Sequence, residues 1–177
     1  MKNIFFCTLL IFLFYGCSSD TKVEKVDKMT FTNDCESIEG WDSNSRAVST
    51  ENFHSGRYSN KLDAQNPYSV TFKRKYSDIS NSQIKFVKIS AWVYFLTNNY
   101  VGKALVVEIV DQAGQKLLWE GIDMKEFVKS PKQWIKIEKV IKLDKKYEPN
   151  SIFGIYAWNN SNDGILLDDF RIQFIDK

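Results

Sequence analysis

The chain is poor in catalytic side chains and rich in aromatic ones: a single histidine, His54, stands against five Trp, eight Tyr and thirteen Phe. One histidine in a turn is a weak candidate for a general base. It also rules out a zinc site of the usual His-rich kind and leaves no second choice for a Ser/His pair. Carboxylates are plentiful at 22 Asp+Glu. None sits in a recognisable catalytic motif, so a two-carboxylate glycosidase has the raw material without the signature. The expectation is a protein that is not an enzyme. Rings mixed with a few polar groups do a different chemistry: the C–H-rich faces of sugars pack on aromatic planes, while sugar hydroxyls need carboxylates, amides or guanidinium groups. Trp92, Tyr94, Tyr156 and Trp158 are the candidate platform, with Glu108, Asn159 and Arg74 as polar partners. The alternative is that these rings are core and the domain holds a protein partner through a broad apolar patch.

These candidates fall in segments with a period-two apolar pattern, rich in Val, Ile, Phe, Tyr and Trp, which is strand chemistry. Strands are predicted over residues 68–74, 86–96, 104–110, 116–121, 133–143, 151–158 and 165–174. In the second, Ile89, Ala91, Val93 and Phe95 share one face, and Ser90, Trp92 and Tyr94 the other. In the third, Leu105, Val107 and Ile109 oppose Ala104, Val106 and Glu108. In the sixth, Phe153, Ile155 and Ala157 oppose Ile152, Gly154, Tyr156 and Trp158. Trp92, Tyr94, Glu108, Tyr156 and Trp158 are thereby expected on one common face. Residues 111–115 and 159–164 supply the Asn, Asp and Gly that tight connections need. Pro67, Pro131 and Pro149 lie outside strand interiors, as their missing N–H requires. The one candidate helix, residues 123–128, is a single turn. Many strands without intervening helices imply an all-β antiparallel sandwich or barrel.

The N-terminal segment reads as an address. Lys2 precedes an uncharged apolar run, residues 4–15, which is short of the ~20 residues a spanning helix needs. The ending Phe14-Tyr15-Gly16-Cys17 resembles a bacterial lipobox, whose cysteine is acylated and becomes the new N-terminus. Residues 1–16 are therefore expected to be a lipoprotein signal peptide, 17–30 the lipidated Cys17 and a tether, and 31–177 the folded domain. Ser18 in the second position is similar to lipoproteins forwarded to the outer membrane, on either the periplasmic or the cell-surface face. Cys7 leaves with the signal and Cys17 carries lipid, so Cys35 alone cannot make an internal disulfide. Lys+Arg (24) and Asp+Glu (22) nearly balance, for a net charge of +2, which gives no reason to expect nucleic acid as a partner. The expected partners are carbohydrate, a membrane through the lipid anchor, and a protein in the envelope.

Five motifs in order resemble the carbohydrate-binding modules with a galactose-binding-like jelly-roll fold, over about the whole stretch from Phe31 to Ile175. They are Asn33-Asp34-Cys35-Glu36 with Gly40-Trp41; His54-Ser55-Gly56-Arg57-Tyr58-Ser59; Ile89-Ser90-Ala91-Trp92-Val93; Gln133-Trp134; and Ile165-Leu166-Leu167-Asp168-Asp169-Phe170-Arg171-Ile172. The resemblance implies a jelly-roll sandwich with packing roles for Trp41 and Trp134. It also implies a structural calcium, a hard cation suited to carboxylate and carbonyl oxygens. Its ligands would be Glu36, Asp168 and main-chain oxygens near His54 and Arg57, with Asp34 a lesser candidate.

Overall fold

The computed structural model describes residues 29–42, 47–128, 130 and 132–176. The expected signal peptide, Cys17 and most of the tether lie outside the described residues. Among the described residues ten strands carry the fold: β1 (Thr30–Asn33), β2 (Val48–Ser49), β3 (Ser59–Leu62), β4 (Phe72–Lys75), β5 (Phe86–Phe95), β6 (Lys103–Val110), β7 (Lys116–Asp123), β8 (Trp134–Lys142), β9 (Ile152–Asn159) and β10 (Ile165–Ile175). One helical turn, α1 (Tyr76–Ile79), follows β4, and a 3-10 turn, Met124–Phe127, stands where the short helix is expected. No helix among the described residues is long and apolar enough to cross a membrane.

The strands form two antiparallel sheets. One runs β2-β3-β10-β5-β8, with β1 also on β10; the other runs β4-β9-β6-β7. Alternation decides what each strand buries. In β5, Ile89, Ala91, Val93 and Phe95 point into the interior. Leu105, Val107 and Ile109 do so from β6, and Phe153, Ile155 and Ala157 from β9. With Phe72, Ile137 and Phe174 they form one core between the sheets, and each large side chain fully withdrawn from water contributes about 1.5–3 kcal/mol. The expected all-β antiparallel jelly-roll sandwich is the observed architecture.

Two bulges set what faces outward. In the β6–β7 hairpin, Val110 pairs with Lys116 but Ile109 with Leu118, so Leu117 is the extra residue. In β10 the pairing with β5 passes from Asp168 opposite Trp92 to Arg171 opposite Ser90, and Asp169 takes a left-handed φ of 47°. There β10 exchanges one neighbour for another, pairing with β3 through Leu167 and with β1 from Phe170 onward. Cys35 is buried beside this point; its N–H donates to Asn33 Oδ1 and its Sγ contacts Asn60 Nδ2 at 3.1 Å. Burial first, and the Asp168 charge second, push its thiol pKa far above the usual value, so it is an inert core group.

Candidate functional site

The outer face of the four-stranded sheet is an aromatic cleft of about 680 Å³. Strand register builds it row by row. Trp158 of β9 lies between Ala104 of β6 and Tyr68, which reaches it through an isolated bridge. In the next row Gly121, Val106 and Tyr156 are neighbours, and in the third Trp119, Glu108, Gly154 and Lys73. Small residues at Ala104, Gly121 and Gly154 keep the floor low, while Tyr68 and Trp119 rise at opposite edges of the sheet. Among the described residues, Tyr68 (48% exposed) and Trp119 (41%) are two of only five large hydrophobic side chains left exposed. Rings in contact line the surface, with Trp119 edge-on to Trp158 at 6.4 Å and Tyr68 edge-on to Tyr156 at 5.8 Å.

The polar groups here are paired with one another. Lys116 Nζ stands 3.2 Å from Glu108 Oε1, and Lys73 Nζ 3.5 Å from Asp42 Oδ2. Two lysines against two carboxylates leave these pairs neutral as a set. Burial, then the nearby Glu108 charge, hold the Tyr156 phenol pKa above its usual 10.0, so Tyr156 stays a protonated hydroxyl. Lys103, only 2% exposed, fixes the loops at the Trp158 end of the cleft: its Nζ reaches Asn99 O (3.0 Å), Val101 O (3.2 Å) and Ser161 Oγ (2.7 Å).

Of the five expected platform residues, the structure unites Glu108, Tyr156 and Trp158 and separates Trp92 and Tyr94. This corrects the expectation of one common face. Both separated rings point away from the core, but β5 belongs to the six-stranded sheet, so they lie on the opposite side of the molecule. There His54 stacks on Trp92 (3.9 Å, 15°) and Trp134 packs on Tyr94 (5.6 Å). Arg74 and Asn159 are taken by structure. The Arg74 guanidinium donates to Gly40 O and Lys73 O, and buried Asn159 donates to Leu62 O and Asp163 O. Trp41 packs against Phe72 and Phe170. Tyr68, Trp119, Lys73, Lys116 and Asp42 enter the site without having been singled out; the signal was the alternation in residues 116–121, obscured by the bulge at Leu117.

Glu36, His54, Arg57 and Asp168 do meet, around the turn 54–58. Glu36 Oε1 accepts the N–H groups of Arg57 (2.6 Å) and Tyr58 (2.9 Å). Gly56 has a φ of +62°, and a Cβ there would sit 2.3 Å from the same oxygen. Asp168 Oδ2 accepts from His54 N (2.8 Å) and Ser55 N (3.1 Å), and Oδ1 from Asp169 N (2.7 Å). Asp169 in turn takes His54 Nδ1 (2.5 Å) and Ser55 Oγ (2.7 Å). The Arg57 side chain is largely exposed, 3.9 Å from Glu36 Oε2. Asp168 is fully buried, and that burial raises its pKa. No group of three His, Cys, Asp or Glu side chains among the described residues converges as a metal cluster would, so any cation here would rest on these two acids and on main-chain oxygens.

No protein-family description and no curated protein matches the chain. Several solved structures with the same sandwich are carbohydrate-binding modules. The C-terminal family 22 carbohydrate binding module of Clostridium thermocellum Xyn10B superposes with a TM-score of 0.60 at 13% identity, covering 81% of this chain and 91% of that one. The CBM22-2 xylan-binding domain of Paenibacillus barcinonensis Xyn10C gives 0.53 at 16% identity, covering 82% and 99%. A third, described as the xylan-binding domain from CBM 22, gives 0.55 at 14% identity, covering 83% and 95%. These likenesses define the fold class.

Proposed function

We propose that this chain is a non-catalytic glycan-binding protein whose cleft on the four-stranded sheet takes an uncharged oligo- or polysaccharide. The observation that carries the reading is the cleft itself: about 680 Å³, within the ~300–1,000 Å³ of ordinary ligand sites. Tyr68, Trp119, Tyr156 and Trp158 wall it, and its lysines and carboxylates are paired off. Trp119 and Trp158 supply planes for sugar C–H faces, and Tyr156, Glu108 and Lys116 supply hydrogen bonds to hydroxyls. The structural neighbours described as xylan-binding support a β-linked pentose or hexose chain as the first ligand to try. Affinity electrophoresis of the full chain through gels containing xylan or other neutral polysaccharides tests the reading. Retardation lost in Trp119→Ala and Trp158→Ala supports it, and equal mobility in every gel overturns it.

Two further parts of the reading concern anchoring and stability. The lipobox-like run supports acylation at Cys17 and membrane attachment, and Ser18 supports the outer membrane. The buried Asp168 carboxylate, which accepts backbone N–H groups and forms no ion pair with a cationic side chain among the described residues, supports a structural calcium held with Glu36 and main-chain oxygens of the turn 54–58. When bound, that ion would neutralise the two acids and tie the first loop to the last strand.

A further inference from the structure

The outer face of the six-stranded sheet differs from the cleft in charge. Register places Arg171 of β10 beside Ser90 of β5, and Ser90 beside Glu138 of β8; Lys88 and Lys136 lie one row to either side. Ser90 is small and only 6% exposed, so the longer side chains stand around it and enclose a groove of about 330 Å³. Glu138 serves both lysines at once, Lys88 Nζ at 2.7 Å and Lys136 Nζ at 3.2 Å. Arg171 enters no ion pair among the described residues. Three cations thus surround one carboxylate, leaving a local charge of about +2 along a shallow groove whose charged side chains are open to solvent. A guanidinium without a carboxylate partner is a ready fork for a planar carboxylate. Trp92, directly opposite Lys136, lies outside the groove's lining, with its ring stacked against His54.

We propose that this groove is a second glycan-binding site, on the opposite side of the molecule from the cleft, and that it takes a carboxylate-bearing polysaccharide. A uronate carboxylate pairs with Arg171, and Lys136 and Lys88 donate to the same carboxylate or to its neighbour along the chain. The proposal goes beyond the neutral-glycan reading and does not depend on it. Charge complementarity selects the occupant: the lysines of the cleft are matched one to one with acids, whereas this groove has a surplus of cations. Shape disfavours a lipid surface. Interfacial binding needs large apolar side chains that protrude; here Trp92 lies under His54, and beside the groove only Val140 is a markedly exposed hydrophobic.

The test is retention of the full chain by immobilised polygalacturonate. The expected result is retention that weakens as salt rises from about 0.01 M to about 0.15 M, where screening contracts from ~30 Å to ~8 Å, and that an excess of a neutral xylo-oligosaccharide does not displace. Arg171→Gln lowers the affinity about tenfold. Glu138→Gln, which removes the competing carboxylate and frees two lysines, tightens it about threefold, a gain that a merely destabilised fold would not give. No retention of the wild type overturns the proposal. So does retention unchanged by both substitutions, or displacement by the neutral sugar. Binding to vesicles of anionic phospholipid without binding to polygalacturonate overturns it in favour of a membrane-facing surface.

Discussion

Replacing Gly121 with Ala separates the cleft from the fold. A Cβ built on Gly121 falls 2.7 Å from Trp119 Cη2 and 2.9 Å from Cζ3, whereas carbon atoms rest about 3.5–4.0 Å apart. The outer edge of the indole must therefore withdraw by roughly 1 Å, which an exposed side chain on an edge strand can do. The backbone itself does not object, since Gly121 is not among the positive-φ glycines. Alanine then stabilises by about 0.4–1 kcal/mol through the unfolded chain, partly offset by a loosened Trp119–Trp158 contact of about 0.5–1.5 kcal/mol. The melting temperature should accordingly stay within about 4 °C of wild type. Affinity responds differently. An aromatic anchor contributes about 2 kcal/mol or more on truncation, and a ring moved by ~1 Å should forfeit about half of that, roughly fivefold in Kd. Calorimetric titration with a soluble xylan fragment, paired with a thermal melt, reads both quantities. Wild-type affinity in Gly121→Ala, together with a shifted Trp119 fluorescence emission, would refute the assignment of Trp119 as a sugar contact.

The remaining predictions concern parts of the chain outside the cleft. Chelator should lower the melting temperature of the wild type by several degrees, since a ligand at a hundredfold excess over its Kd stabilises by about 2.7 kcal/mol. Glu36→Gln should be nearly insensitive to chelator, and identical wild-type melts with and without it would exclude the calcium. Burial lowers the pKa of Lys103 from its ordinary 10.5, so between its folded and unfolded pKa values the unfolded chain binds the extra proton. Stability to urea should rise with pH through that window and level off above 10.5, and Lys103→Met should remove this increment; a wild-type curve parallel to the mutant's would contradict it. Labelled fatty acid should enter the wild type and be lost in Cys17→Ala, and equal incorporation in both would sink the lipoprotein reading.

The elements were legible where alternation is strong and local. β5, β6, β8, β9 and β10 each match a predicted strand to within a residue or two at either end, because Ile, Val and Phe recur there on one side of the pleat. Short β2 and β3 carry too little apolar alternation to announce themselves, and α1 is one turn. The sharing of faces within each strand was legible as well, but whether the face with Trp92, Tyr94, Tyr156 and Trp158 looked inward or outward was not; in the structure all four point away from the core. Which sheet owns a strand was not legible either, since it is decided by long-range pairing that period-two reasoning does not reach; Trp92 and Trp158 therefore looked like neighbours and are on opposite sides. The bulge at Leu117 hid Trp119 for a related reason. Uninterrupted counting from the hairpin would put Leu118 opposite Glu108, and the single extra residue exchanges it for Trp119, since one step of register reverses the face. The meeting of Glu36, the turn at His54 and Asp168 was legible only through the resemblance of their motifs to those of carbohydrate-binding modules, since nothing local in the chain pairs residues so far apart in sequence.

The five tryptophans allow the central claim to be tested in one titration. Their indole N–H signals in a nuclear magnetic resonance spectrum report separately on the cleft (Trp119, Trp158), the opposite face (Trp92, Trp134) and the core edge (Trp41). On adding a neutral xylo-oligosaccharide, the signals of Trp119 and Trp158 should shift in a saturable way while the other three stay in place. Shifts at Trp92 and Trp134 with Trp119 and Trp158 unmoved, or no shift with any neutral glycan, would contradict a sugar-binding cleft on the four-stranded sheet.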